Sequence, residues 1–191
     1  MATIGLRDVH YALLTEDSAE TKKATYEKPV HVVGAISANI NPNTSSATLF
    51  ADDGPYDAAS TMGEITLELN LADIPDSVQA VWLGHTYQNG MLIKKSTDTP
   101  PWLALGYRSL KSNGAYRYVW LVKGKFAALE EEYGTKGDSI EFKTPTIQGA
   151  FVKRDADDVW ELKADSDAEQ QSSAISTWFT TLPEPGVAAA G

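Results

Sequence analysis

The sequence predicts a mainly β (α+β) domain: a β-sandwich or barrel with a short flanking helix, a C-terminal helix, a long loop and terminal arms. Aliphatic and polar residues alternate strictly over 64–71, which is typical of a strand with one buried face. A second alternating stretch, 102–123, turns back at Asn113-Gly114, a common β-hairpin turn. The chain has 191 residues and no cysteine, and one domain of that length can bury a core without disulfides.

The N-terminal residues 1–28 are assigned to an arm and a loop of a single domain that spans 1–182. The first dozen residues contain little glycine or proline and predict a strand or arm, whereas 15–28 are polar and predict a surface loop. The following stretch, 29–40, is rich in β-branched and small residues. It predicts a strand that bends at Gly34.

Residues 41–61 are the least regular part of the chain and are expected to form a long loop. Asn41-Pro42 and Asp53-Gly54-Pro55 favour turns, and small polar residues fill most of the remainder. Within this stretch, 47–51 could form a short strand. Loops of this length inside a compact domain usually have a function or are disordered.

A strand and a short helix are predicted after this loop. The alternation over 64–71 places the aliphatic side chains on one face and the carboxylates of Glu64 and Glu68 on the other. A helix is expected to begin near Asp73 or Ile74, with Pro75 in its first turn, and to end at Gly84. Its expected apolar stripe is Val78, Val81, Trp82 and Leu83.

The C-terminal part is predicted to contain two more strands and a helix. Residues 139–154 predict a long strand interrupted at Pro145 and Gly149, and 159–163 predict a short one. Residues 167–180 predict a helix anchored by Ile175, Trp178 and Phe179. The final residues, 183–191, are expected to form a flexible tail.

Charge and motif content weigh against several classes of function. The net charge is −10, with 16 basic against 26 acidic residues, which disfavours binding to nucleic-acid phosphates. The three histidines lie far apart, and the chain contains no nucleophile elbow, P-loop or dinucleotide fingerprint. Acidic clusters at 52–57 and 155–158 lack the spacing of a calcium loop, so solvated turns are favoured. We therefore expect no enzymatic activity, no cofactor and no bound metal.

Several stretches, taken together and in order from about residue 2 to residue 180, resemble one known family. They are ATIGLRDVHYALLTED (2–17), GAISANI (34–40), SATLFADDGPYD (46–57), LGHTY (83–87), ALGYRSLKSNGAYRYVWLVKGKF (104–126), EEEYGTKGDSIEFKTPTIQGAFVKR (130–154) and TWF (177–179). In this combination the chain resembles the major tail, or tail tube, proteins of long-tailed phages. The resemblance favours the non-contractile, siphovirus type.

The resemblance implies a tail-tube-type β-sandwich with a flanking helix, arranged six copies to a ring, with the rings stacked into a hollow tube. It implies that a sheet from each subunit joins its neighbours into one inner barrel, while the long loop and the arms bridge subunits. The implied partners are a tape measure protein inside the tube, and a tail terminator and a distal tail protein at its ends. DNA would pass through without specific binding. The implied location is the virion tail, after synthesis in the host bacterial cytoplasm.

Candidate residues follow from the strand pattern and from the resemblance. The alternation over 64–71 makes Glu64 and Glu68 candidates for facing the lumen. The inter-subunit loop candidates are Asp52, Asp53, Gly54 and Tyr56, and the candidate arm anchors are Leu6, Tyr11, Trp178 and Phe179. For Trp178 and Phe179 a plain core role is an equal alternative. The alternative function is a β-sandwich module that recognises carbohydrate or protein on a virion or cell surface.

Overall fold

Antiparallel strands make up most of the computed structural model of the chain, which describes residues 2–51, 54–131, 143–168 and 173–185. The strands are β1 (Thr3–Ser18), β2 (Lys23–Tyr26), β3 (Val30–Val32), β4 (Ala35–Ala51), β5 (Gly54–Leu71), β6 (Thr86–Gln88), β7 (Met91–Ile93), β8 (Leu103–Lys111), β9 (Tyr116–Phe126), β10 (Thr146–Phe151) and β11 (Glu161–Asp165). The helix α1 (Asp76–Leu83) lies between β5 and β6, and a 3-10 turn, Ser173–Thr177, follows β11. In these described parts no helix has the length and apolar character that a membrane crossing requires.

One large antiparallel sheet has the order β2-β1-β8-β9-β10-β5-β4, with β3 also paired to β1 and β11 to β9. The sheet curls because β3 and β4 are nearly continuous but pair with different strands, β1 and β5. Gly34 makes this change of direction, with a φ of 92° and its carbonyl oxygen accepting the Ala72 N–H at 2.7 Å. The two ends of the sheet therefore approach each other, and β1 comes close to β4.

The main core lies inside this curl and draws side chains from both ends of the sheet. Trp82 of α1 is fully buried there, with its ring 4.5 Å from that of Phe126 and 5.8 Å from that of Tyr11. The other buried members are Val9, Val32, Ile65, Leu67, Leu69, Leu71, Ile74, Leu83, Leu103, Leu105, Leu121, Ile147 and Phe151. The predicted alternation over 64–71 is confirmed, since its four aliphatic residues are buried while Glu64 and Glu68 are exposed.

A second apolar cluster covers the opposite face of β1, β8 and β9. The C-terminal segment, residues 173–185, supplies Trp178 and Leu182, which pack against Ala12, Trp120 and Val122. The indole N–H of Trp120 donates to the carbonyl oxygen of Trp178 at 2.9 Å, which fixes the segment on the sheet. The central strands are thus covered on both faces, and this explains why β9 is buried continuously from Val119 to Gly124.

The 102–123 hairpin and the end of the helix at Gly84 agree with the sequence prediction, but the helix begins at Asp76 rather than near Asp73 or Ile74. Pro75 caps the start of α1, and Gly84 ends it in a left-handed conformation with a φ of 72°. A side chain could not be placed at Gly84, because its Cβ would lie 2.3 Å from the carbonyl oxygen of Thr99. Strands β8 and β9 pair across the Asn113-Gly114 turn as expected.

Of the strand and the arm that the sequence allowed for the first dozen residues, the structure has the strand, and parts of the surface loop expected over 15–28 are strand as well. Strand β1 pairs with β8 from Thr3 to Leu13, and its end forms a hairpin with β2. Tyr11 lies in the main core, while Leu6 is half-buried opposite Ser109. The residues form a sheet strand because Val9 and Tyr11 supply an apolar face that the curled sheet buries.

The prediction of an irregular loop at 41–61 is wrong for its described residues. These residues continue β4 and β5 as one long hairpin, with Ser45 opposite Thr61 and Thr48 opposite Ala58. Pro42 is tolerated because β4 is an edge strand, where a missing N–H need not break a ladder; the register shifts just after it.

Two C-terminal predictions need smaller corrections. The helix expected over 167–180 is a five-residue 3-10 turn in the described part, and 169–172 lie outside the described residues. Serine and threonine side chains compete for backbone hydrogen bonds, and that of Thr177 donates to the Ala174 carbonyl oxygen at 3.4 Å. Of the strand expected over 139–154, only 146–151 are strand in the described part, as β10, which begins after Pro145; 139–142 lie outside the described residues.

Candidate assembly surfaces

The outward faces of β4, β5 and β10 form one continuous polar surface, here called the polar face. Since Ile65, Leu67 and Leu69 point into the core, the residues between them point out. The register aligns three cross-strand rows, which are Asn39–Glu68–Gln148, Asn41–Thr66–Ala150 and Ser37–Asn70–Thr146. Amide and hydroxyl groups therefore dominate the polar face, and Glu64 and Glu68 supply its carboxylates.

Side-chain amides hold parts of the polar face in place. The Asn70 amide donates to the Thr146 hydroxyl at 2.7 Å and to the Pro145 carbonyl oxygen at 3.2 Å. On the other side of β5, the Asn43 amide donates to the carbonyl oxygen of Glu64 at 2.9 Å. These bonds tie β10 and β4 to β5 through side chains as well as through the backbone ladder.

The polar face is open to solvent, in contrast to the half of the sheet that the C-terminal segment covers. Asn39, Asn41, Glu64, Glu68 and Gln148 are all exposed. The neighbouring strand β9 brings Lys125 next to Ala150, with its ammonium 4.5 Å from the centre of the Trp102 ring. The polar face therefore combines few charges with many neutral hydrogen-bonding groups.

The free edge of β4 borders the polar face. In the described part of the chain, β4 pairs only with β5, so its other side presents unpaired backbone groups. From Val33 to Ala51 there is no charged residue. Proteins usually protect edge strands with charges or prolines, and β4 has one proline in this span. Such an edge is suited to pairing with another strand.

The hairpin of β4 and β5 continues past the sheet. Strand β10 pairs with β5 only over 65–70. In the described part of the chain, the hairpin residues 44–51 and 54–62 have no strand partner other than each other. Gly54 pairs with Ala51 near the tip, and Tyr56 lies on β5 close by. The other two loop candidates, Asp52 and Asp53, lie outside the described residues.

The candidate C-terminal anchors attach the C-terminal segment to its own domain. Trp178 is buried in the second cluster, and the Phe179 ring stacks on that of His10 at 4.3 Å. His10 is half-buried, and this burial lowers the pKa of its imidazole. In the isolated chain these contacts match the core role rather than an extended arm.

A small hairpin, β6–β7, is a surface feature that the sequence analysis did not predict. Asn89 and Gly90 form its turn, both with positive φ, in the pattern of a type I′ turn. The Asn-Gly pair was the available signal, but the strands on either side have only three residues each. After the hairpin, Asp98 accepts hydrogen bonds from the His85 ring and the Lys95 N–H, both at 2.7 Å, and these bonds lower the pKa of its carboxyl.

Many acidic residues of the described chain serve ion pairs that join strands and turns. Asp165 meets Arg117 at 2.8 Å and Lys111 at 3.1 Å, and these partners hold the pKa of Asp165 far below its usual range. Lys123 lies between the carboxylates of Asp17 and Asp155, at 2.7 and 2.8 Å. In the described residues no group of three or more histidine, cysteine or acidic side chains is arranged to hold a metal ion.

Comparison with known proteins leaves the chain without an assigned family. No protein-family model matches it. A search of curated proteins likewise gives no significant match.

Proposed function

We propose that the protein is a self-assembling virion subunit that forms stacked hexameric rings, and that these make the hollow tail tube of a phage. The observation that carries this proposal is the open polar face, bordered by an uncharged free edge and continued by a hairpin that projects from the sheet. The resemblance described above supplies the ring and tube arrangement. In this proposal the polar face is the wall of the tube, the free edge of β4 is the seam between subunits, and the projecting hairpin is the bridge between rings.

The polar face has the properties expected of a tube lumen. A barrel wall needs one face packed on a core and one face in water, as β5 has. The amide and hydroxyl groups of the polar face are neutral, so phosphates would find few cationic partners there. The net charge of −10 adds a general repulsion. A DNA strand passing over this surface would therefore meet no strong binding site.

The free edge of β4 is the proposed seam between neighbours in a ring. An incoming strand would satisfy the backbone groups along this edge and extend the sheet from one copy to the next. The projecting hairpin would reach an adjacent ring. In the phage, the proposed partners are the tape measure protein inside the tube, and the terminator and distal tail proteins at its ends.

Negative-stain electron microscopy of the purified protein, fresh and after concentration, tests this proposal. Uniform tubes built from stacked six-fold rings are the expected result. A protein that stays monomeric or forms only small closed oligomers, alone and with the tape measure and distal tail proteins added, overturns the proposal. If those closed oligomers also bind sugars, the carbohydrate-recognition alternative gains support.

A further inference from the structure

Two Asn-Gly pairs occur in the chain, and both lie in exposed hairpin turns. Asn89-Gly90 joins β6 to β7, and Asn113-Gly114 lies between β8 and β9. An asparagine followed by glycine is prone to deamidation, because glycine has no side chain to hinder the attack of its backbone nitrogen on the asparagine carboxamide. The other asparagines precede isoleucine, proline, threonine or leucine, and these residues hinder or prevent that attack.

In the turn between β8 and β9, hydrogen bonds hold both of the groups that would react. The Asn113 amide donates to the carboxylate of Asp167 at 2.7 Å, and its carbonyl oxygen accepts the N–H of Ala115 at 3.1 Å. The N–H of Gly114 donates to the carbonyl oxygen of Lys111 at 3.0 Å. These bonds must break before the Gly114 nitrogen can reach the Asn113 carboxamide.

The turn between β6 and β7 lacks these restraints. Within the residues that the structure describes, neither the Asn89 side chain nor the Gly90 N–H makes a hydrogen bond. A Cβ on Gly90 would meet no atom within 4 Å, and the same holds for Gly114. Hydrogen bonding therefore distinguishes the two turns, whereas crowding does not.

The strands beside the two turns also differ in how readily they open. Strands β6 and β7 have 3 residues each and, in the described part of the chain, pair only with each other. Strands β8 and β9 have 9 and 11 residues and lie in the middle of the large sheet. A short two-stranded hairpin opens locally at low cost in free energy. The backbone around Asn89 can therefore move into the geometry of attack while the rest of the molecule stays folded.

We propose that Asn89 is a site of spontaneous covalent modification in the folded protein, while Asn113 is protected. The backbone nitrogen of Gly90 attacks Cγ of Asn89 and forms a five-membered succinimide ring. The bond from Cγ to the amide nitrogen breaks, and that nitrogen leaves as ammonia with the proton of the Gly90 N–H. Water then opens the ring at one of its two carbonyl carbons, and the ring nitrogen regains a proton. The products are aspartate and isoaspartate, and no oxidant or reductant is needed.

The modification changes both the charge and the backbone of the β6–β7 hairpin. A carboxylate replaces a neutral amide, so each modified chain becomes more acidic. In isoaspartate the backbone passes through Cγ and gains a carbon, which is incompatible with the two-residue turn that places Gln88 opposite Met91. The large sheet should remain intact, because neither of its two apolar clusters includes a residue of this hairpin.

Peptide mapping by mass spectrometry tests the proposal on the purified full-length protein. Samples are taken during incubation at mildly alkaline pH and digested with chymotrypsin, which cuts after Tyr87 and Tyr116 and so separates the two asparagines. Asn89 is expected to convert roughly tenfold or more faster than Asn113, because its turn opens more readily. The Asn89→Asp variant supplies the chromatographic standard for the aspartate product.

Two controls show whether the structure is the cause of this difference. In guanidinium chloride the turns are unfolded, and the two asparagines are expected to react at closely similar rates. Asp167→Ala removes the acceptor of the Asn113 amide at an exposed position, so it should raise the rate at Asn113 severalfold and leave the rate at Asn89 unchanged.

The outcomes decide the proposal in either direction. Fast conversion of Asn89 in the folded protein, together with similar rates at both sites after unfolding, supports it. Equal rates in the folded protein, or a slower rate at Asn89, overturn it. A preference for Asn89 that persists in guanidinium chloride also overturns it, since neighbouring residues in the sequence would then cause the difference.

Discussion

At the scale of single residues, three glycines in the central strands lie against aromatic rings and set how closely the core packs. A Cβ on Gly106 would lie 2.5 Å from the Trp120 ring, and a Cβ on Gly124 would lie 2.3 Å from the Phe151 ring. Gly149 is similarly placed, 2.9 Å from Phe151. Such distances leave no room for a methyl group, so glycine at these positions is a packing requirement.

Gly124→Ala is therefore expected to destabilise the fold by about 1–3 kcal/mol, because the buried Phe151 ring must leave its position to admit the methyl group. Urea unfolding followed by tryptophan fluorescence measures the change. Gly5→Ala is the control, since its Cβ would meet only the Leu110 side chain at 3.9 Å. Equal stabilities of the two variants would contradict the packing of Phe151 described here.

The ion pairs of Asp165 give a prediction about pH. Hydrogen bonds from Arg117 and Lys111 lower the pKa of Asp165 in the folded state. The ionised Asp165 carboxylate therefore stabilises the fold at pH values above the pKa of the unfolded chain, about 3.9. This stabilisation is lost as the pH falls through the lowered pKa of the folded state. Asp165→Asn should cost roughly 1 kcal/mol at pH 7, after allowance for solvent screening. Thermal melts from pH 7 to pH 2 should show the two proteins converging at the acid end; a constant difference would contradict this.

At the scale of elements, the hairpin of β4 and β5 has two parts with different roles. The part near the sheet packs Ile65, Leu67 and Leu69 into the core. The described residues beyond about 44 and 62 pair only with each other, and the side chains described there are exposed. Folding should depend on the first part, and assembly on the second.

Shortening the hairpin tests this division. Replacing residues 46–60 by Asn-Gly joins Ser45 and Thr61, which already face each other, through a favourable two-residue turn. The free energy of unfolding is expected to change by less than about 1 kcal/mol, because the side chains of this segment that the structure describes are exposed. Tube formation, followed by electron microscopy and sedimentation, is expected to be lost. Full-length tubes from the shortened protein would rule out the bridging role.

The sequence predicted those elements whose signal is local. The alternation over 64–71, Gly84 after the helix and Asn113-Gly114 between β8 and β9 each act within a few residues. The long hairpin was missed because its small polar residues have no clear period, and their pairing is visible only in the structure. The sequence left a strand and an arm as alternatives for the first dozen residues because the partner of β1 is β8, which is remote in the sequence.

The candidate site was predictable to the same extent. Alternation alone placed Glu64 and Glu68 on the solvent side of β5. The polar face also includes residues of β4 and β10, such as Asn39 and Gln148, whose position depends on the register of these strands with β5. A single strand pattern cannot supply that register.

At the scale of the whole molecule, the sheet has one half covered on both faces and one half with an open polar face. The C-terminal segment covers β1, β8 and β9, whereas β4, β5 and β10 remain open beside the unpaired edge. This asymmetry gives the molecule a covered side and an open side. In a tube, the open face would be directed to the lumen and the free edge to the next subunit.

Glu64→Lys combined with Glu68→Lys tests that orientation in phage particles. Tubes are expected to assemble, because both side chains are exposed and neither belongs to the core. DNA release is expected to slow severalfold, since a ring of lysines would bind passing phosphates, and the slowing should weaken at high salt.

Glu20→Lys with Glu184→Lys is the control, as it makes the same change in net charge at exposed positions outside the polar face. Release kinetics, measured by the fluorescence of a dye that binds ejected DNA, should separate the two double variants. If both release DNA at the rate of the unmodified phage, Glu64 and Glu68 do not line the path of the DNA, and the polar face belongs on the outside of the assembly.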